Sequence, residues 1–148
     1  MARVLITGMS GSGKSTLLAA VARRGFRTVD TDYDCWGLSE AQWDEPRMSA
    51  LLAQQSTIAV CGTADNQGRF YDRFEHVIYL YVPLEVLLDR VRGRPNNPYG
   101  KTSEQQADIA RYVVAVEPLI RRTATLELDG LMPIEALAER VGQCLTSS

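Results

Sequence analysis

The chain has 148 residues, 45% of them hydrophobic and 23% charged, with a formal net charge of −2. That length holds one domain, residues 1–148, with its own core, and the charge balance argues against a basic surface built for nucleic acid. Cys35, Cys61 and Cys144 are odd in number and far apart, which fits neither a disulfide framework nor a zinc site. No apolar run is long enough to span a membrane and no signal-like segment precedes the first motif, so a cytoplasmic chain without membrane partners is expected.

Residues 3–7, Arg3-Val4-Leu5-Ile6-Thr7, form a short β-branched and apolar run that predicts a strand. It leads into Gly8-Met9-Ser10-Gly11-Ser12-Gly13-Lys14-Ser15, a complete match to the G-x-x-x-x-G-K-[ST] phosphate-binding loop. The glycines let successive backbone N–H groups face one concavity, Lys14 reaches the β- and γ-phosphates, and the Ser15 hydroxyl suits Mg²⁺. The expected nucleotide-binding set is therefore Gly8, Ser10, Gly11, Ser12, Gly13, Lys14, Ser15 and Thr16, with ATP and Mg²⁺ as cofactors and Lys14 also catalytic. Leu17, Leu18 and Val21 continue at helical spacing, and the positive end of that helix adds to the anion site.

A second strand is expected at 26–29, followed by Asp30-Thr31-Asp32-Tyr33-Asp34. Phosphoryl transfer needs a metal to neutralise charge and a carboxylate to orient or deprotonate the attacking hydroxyl. Asp30 is the candidate for the metal and Asp32 for the acceptor hydroxyl; the competing reading is that these residues cap a following helix, Asp34 above all. Trp36 and Trp43 lie in the segment after it, where a Trp serves either as core or as one wall of a pocket.

A third strand is expected at 58–61, and the polar loop Gly62-Thr63-Ala64-Asp65-Asn66-Gln67-Gly68-Arg69 follows it. Asn66 and Gln67 offer paired donors and acceptors to a hydroxylated or amide-bearing ligand, or simply form a turn. Residues 76–82 are a fourth strand, opened by the single histidine, His76, in a structural position. Leu84, Leu87, Leu88 and Val91 make one helical stripe, whose helix ends among Arg90, Arg92 and Arg94 before Gly93 and Pro95 stop it. Ile109, Tyr112, Val113, Val116 and Ile120 make another, with Pro118 expected to bend or end it. A fifth strand at 125–128 precedes a last helix carrying Ile134, Leu137, Ala138, Val141 and Leu145, with Pro133 in its first turn.

Strands alternating with helices predict an α/β fold with a parallel sheet covered on both faces and ligands beyond the carboxyl ends of its strands. The phosphate loop at the start, Asp30-x-Asp32 after the second strand and the later arginine-rich helix ends together resemble the shikimate kinase and gluconate kinase group, with adenylate kinase a more distant likeness. The resemblance implies a three-layer P-loop fold with strand order 2-3-1-4-5, an acceptor-binding segment at about 33–56 and a short lid at about 94–103. It implies that Asp30 serves the Mg²⁺ shell, that Asp32 contacts the reacting hydroxyl and that Arg47 holds the acceptor; the glycine run that lies along the substrate in shikimate kinase is replaced here by the loop from Gly62 to Arg69, expected at the site because it opens at the ligand-binding edge. It also implies that Arg90 and Arg94, with Lys101 a third candidate, close over ATP, and that Arg111 faces the site.

The reading is an ATP-dependent kinase acting on a hydroxyl of a small polar acceptor, working as a monomer or weak homodimer. The alternatives are a nucleoside or nucleoside monophosphate kinase, or a non-catalytic nucleotide-binding regulatory module. No N-K-x-D guanine-reading motif is present, which disfavours a GTPase switch.

Overall fold

A computed structural model describes residues 2–9, 12–31, 37–39, 42–64, 66–93 and 102–146. The main sheet contains β1 (Arg3–Thr7), β2 (Thr28–Asp30), β5 (Ile58–Cys61), β6 (His76–Tyr81) and β7 (Leu126–Asp129), all parallel, in the order β2-β5-β1-β6-β7. Counting only these five strands the order is 2-3-1-4-5, as the resemblance implies. Between β2 and β5 lies a small antiparallel hairpin, β3 (Gly37–Ser39) and β4 (Gln42–Trp43), which the sequence pattern did not announce. The helices are α1 (Lys14–Arg23), α2 (Glu45–Gln54), α3 (Leu84–Arg92), α4 (Ser103–Thr123) and α5 (Ile134–Thr146), with a 3₁₀ helix at Gln67–Arg73.

Each central strand sends alternate residues to opposite faces. Val4, Ile6, Ala59, Cys61, Ile78 and Leu80 meet α1 and α5, while Leu5, Ile58, Val60 and Val77 meet α2 and the 3₁₀ helix. Tyr79 packs on α3 and α4 together with Met9. Burial on both faces is why β1, β5 and β6 read as continuous apolar runs. The edge strand β7 instead alternates, with Leu126 and Leu128 half-buried and Glu127 and Asp129 exposed.

The structure narrows one expectation and corrects two. Pro118 does not end α4, which continues to Thr123; the carbonyl left without its N–H donor belongs to Val114, a residue 72% exposed, where water can satisfy it. The second strand is displaced to Thr28–Asp30: its register with β5 opens with Thr28 opposite Ala59, whose N–H donates to the Arg27 carbonyl at 3.0 Å, and Asp30 therefore ends the strand instead of following it. The last two residues assigned to the lid belong to α4: the Thr102 hydroxyl accepts from the Gln105 backbone N–H at 3.1 Å as its N-cap, and Ser103 is its first residue.

Candidate active site

The phosphate loop sits where β1 turns into α1. Gly13, at φ 97°, stands at the N-cap of α1 without a capping side chain, which leaves the first N–H groups of the helix available to an anion. Gly8 is needed because a Cβ there would lie 2.9 Å from the Leu80 carbonyl oxygen and 3.0 Å from Ser12 Oγ. Lys14 is buried, and its ammonium donates to the Gly8 carbonyl at 2.8 Å and to Met9 O at 3.3 Å. The Ser12 hydroxyl is buried with no hydrogen-bond partner among the described residues. Ser15 is half-buried and Thr16 exposed in the first turn of α1. Ser10 and Gly11 lie outside the described residues.

One row of the sheet joins this loop to the acidic segment. Asp30 is opposite Cys61, and Cys61 is opposite Ile6, so the end of β2 stands two strand spacings, roughly 10 Å, from the end of β1. Asp32 and Asp34 lie outside the described residues, but Thr31 is fixed. Its backbone N–H and its hydroxyl both donate to the Cys61 carbonyl at 2.9 Å, and its oxygen accepts from Trp43 Nε1 at 3.0 Å. Gly62 lies directly beneath Thr31: a Cβ on Gly62 would run into the Thr31 hydroxyl. Thr63 donates to the same Gly8 carbonyl that Lys14 uses, at 2.6 Å, so the loop after β5 is tied to the phosphate loop.

Asn66 and Gln67 differ from the expectation. The Asn66 amide donates to Trp43 O at 3.0 Å and to Glu45 Oε2 at 3.1 Å and accepts from Trp43 N at 2.9 Å. The buried Gln67 amide donates to Thr7 Oγ1 and Tyr71 Oη and accepts from Ala64 N. Both N–H pairs are therefore committed within the protein, and these residues position β4 and the loop instead of presenting donors to a ligand. Trp43 is core: it is buried, with its ring 5.9 Å from Phe70. Asp65 is outside the described residues.

Arg47 is exposed in the first turn of α2, where its backbone N–H completes the Asp44 cap at 3.2 Å. Arg90 crosses from α3 to the phosphate loop, its Nη1 3.7 Å from the position of a Cβ on Gly13. Arg94 and Lys101 lie outside the described residues. Arg111 departs from its expected orientation: it is on the exposed side of α4, between the buried Ile109 and Val113, and pairs with Asp108. Below Met9, Tyr79 is fully buried; desolvation and the neighbouring Glu117 carboxylate push its hydroxyl well above the usual tyrosine range, although the pair forms no well-aligned hydrogen bond. A cavity of about 370 Å³ opens at the ends of β6 and β7, lined by Tyr81, Pro83, Glu127, Leu128, Asp129 and Leu131.

Sequence reasoning singled out neither Thr31 nor Thr63 as a site residue. The signal available was position, since each stands in the first two residues after a strand at the ligand-binding edge.

The sequence model of the family described as AAA domain matches residues 4–111. No curated protein matches the chain. Among solved structures, a shikimate kinase from Acinetobacter baumannii in complex with shikimate is 19% identical with a TM-score of 0.73, covering 97% of this chain and 92% of its own. A gluconokinase from Sinorhizobium meliloti is 17% identical with a TM-score of 0.62, covering 97% and 90%. A deoxyadenosine kinase from M. mycoides with bound dATP is 14% identical with a TM-score of 0.62, covering 99% and 100%. At these identities the likeness is one of fold: a P-loop small-molecule kinase fold over nearly the whole chain. Among the described residues no helix is long and apolar enough to cross a membrane.

Proposed function

The chain belongs to the AAA domain family, and on that footing we propose that it is an ATP-dependent phosphotransferase that moves the γ-phosphoryl group of Mg-ATP to a hydroxyl of a small polar molecule. The observation that carries this reading is the row Asp30–Cys61–Ile6, which opens the acidic segment beside the phosphate loop. A small acceptor held over that row lies between donor phosphate and carboxylate, the placement on which phosphoryl transfer depends.

The loop suits a magnesium-bound triphosphate. Gly8 and Gly13 keep Cβ atoms out of it, the N-terminus of α1 is uncapped by any side chain, and the buried Ser12 hydroxyl lacks a protein partner among the described residues. Ser15 and Asp30 are the residues that would hold Mg²⁺, which when bound neutralises charge on the phosphate oxygens. Mg²⁺ at such sites is held by one or two protein groups together with substrate phosphates and water, which suits a pair such as Ser15 and Asp30.

Lys14 moves its ammonium from loop carbonyls to phosphate oxygens, and Arg90 adds a second cation from α3. Arg94 contributes from the lid. Asp32 orients the acceptor hydroxyl and takes its proton as the oxygen attacks phosphorus and the bond to the β-phosphate oxygen breaks. Arg47 and the backbone at Gly62 stand on the acceptor side. Replacing Asp32→Asn tests the assignment: Mg-ATP affinity stays and transfer is lost, whereas unchanged turnover removes Asp32 from this role. A nucleoside acceptor is the second reading, favoured by the end-to-end match to the deoxyadenosine kinase; nucleosides among the acceptors assayed separate the two.

A further inference from the structure

We propose that α4 is the seam of an antiparallel homodimer. The inner face of α4 is satisfied by the core: Ile109, Val113 and Ile120 are buried against Met9, Tyr79, Val82 and Leu87. Its opposite face carries the exposed Tyr112 and Leu119 with the small Ala115, set among the charged Asp108, Arg111 and Arg122. Asp108, Tyr112, Ala115, Leu119 and Arg122 recur at spacings of four and three residues along that outer side, with Pro118 beside them. Tyr112 is 47% exposed and Leu119 56% exposed.

The charge pattern identifies the occupant as a second copy of this chain. Ala115 lies midway between Asp108 and Arg122, seven residues from each. A twofold axis through Ala115, with two copies of α4 antiparallel, sets Asp108 of each chain against Arg122 of the other, Tyr112 against Pro118, and Leu119 against the aliphatic stem of Arg111, whose guanidinium turns to Asp108. The small Ala115 side chains allow close approach at the axis, and roughly 21 Å of helix separates the two ion pairs. A parallel pairing would oppose like charges at both ends, so the stripe is self-complementary in one orientation. Asp108 now pairs with Arg111 of its own helix at the exposed surface, a contact that a partner can extend. The contact is a single helix stripe, which makes a weak, concentration-dependent dimer the expected form.

Sedimentation velocity of the full chain, from low micromolar to near-millimolar concentration, tests this. A monomer–dimer equilibrium is expected, with Arg122→Glu shifting its midpoint at least tenfold towards monomer and the double variant Asp108→Arg/Arg122→Glu restoring it. Under mild oxidation Ala115→Cys gives a cross-linked dimer, while Val114→Cys, on a more exposed residue beside the stripe, gives none above the native chain. A monomer at every concentration overturns the proposal, as does equal cross-linking of the two cysteine variants or failure of the charge swap to restore association. Circular dichroism of each variant distinguishes these outcomes from loss of fold.

Discussion

The indole N–H of Trp43 donates to the Thr31 hydroxyl at 3.0 Å, and that hydroxyl donates to the Cys61 carbonyl at 2.9 Å. The residue between Asp30 and Asp32 is thereby held from two directions, by the hairpin and by β5. Thr31→Val removes both bonds and leaves the buried indole N–H without an acceptor, at an expected cost of about 1–3 kcal/mol in urea unfolding. Thr31→Ser keeps the hydroxyl and is expected to retain most of that stability and of the transfer rate. If Thr31→Val is as stable as the native chain, the clamp contributes nothing.

Gly62→Ala places a methyl group against the Thr31 hydroxyl, on a backbone with φ 156°. Overpacking and strain together are expected to destabilise by about 1–3 kcal/mol. The same change made in a Thr31→Ala background has less to collide with, so a double-mutant cycle yields a favourable coupling. Strict additivity of the two substitutions contradicts the contact.

Asn66→Asp tests the committed amide. The new carboxylate faces either Trp43 O or Glu45, both acceptors that now receive the Asn66 N–H groups. Its folded pKa is raised above the unfolded value, so the variant is penalised once pH rises through the carboxylate range and recovers relative to the native chain as pH falls towards about 4. Stability differences between the two proteins measured across that range check the sign. A pH-independent difference contradicts it.

Tyr79→Phe is expected to leave stability at neutral pH unchanged or raise it by up to about 1 kcal/mol, because the buried hydroxyl has no well-formed partner. The native hydroxyl is held protonated, above the ordinary tyrosine range. Unfolding releases it to ionise near pH 10, so native stability declines as pH climbs past that value, and the variant lacks this component of the decline. Chemical denaturation at neutral and alkaline pH measures both effects.

What the sequence made legible follows from where each signal arises. The phosphate loop and strands β1, β5 and β6 are encoded locally, since a run buried on both faces needs no distant partner to be read. The hairpin is not: Gly37–Ser39 and Gln42–Trp43 are too short for periodicity, and β4 is held by the amide of Asn66, more than twenty residues away. The polarity of Asn66 and Gln67 was legible while their direction was not, because Trp43 and Thr7 decide which way the amides turn. Arg111 was misplaced for a related reason: helical phase sets it opposite the core stripe, and the resemblance carried no phase. The strand order came from the resemblance, since spacing along a chain does not contain it.

Lys14 is the group whose loss separates nucleotide chemistry from architecture. Lys14→Ala is expected to reduce transfer at least about 100-fold, and Arg90→Ala to weaken Mg-ATP binding roughly tenfold, with circular dichroism unchanged in both. Native turnover in Lys14→Ala contradicts the role of the loop.

The most direct measurement follows the γ-phosphate of ATP by phosphorus NMR in the presence of Mg²⁺ and a panel of hydroxylated metabolites that includes nucleosides. A new phosphate ester on one acceptor class is expected, formed by the native chain and absent with Asp32→Asn. The kinase assignment is contradicted if no acceptor is phosphorylated while nucleotide state alone changes the affinity for a protein partner, the behaviour of a regulatory module.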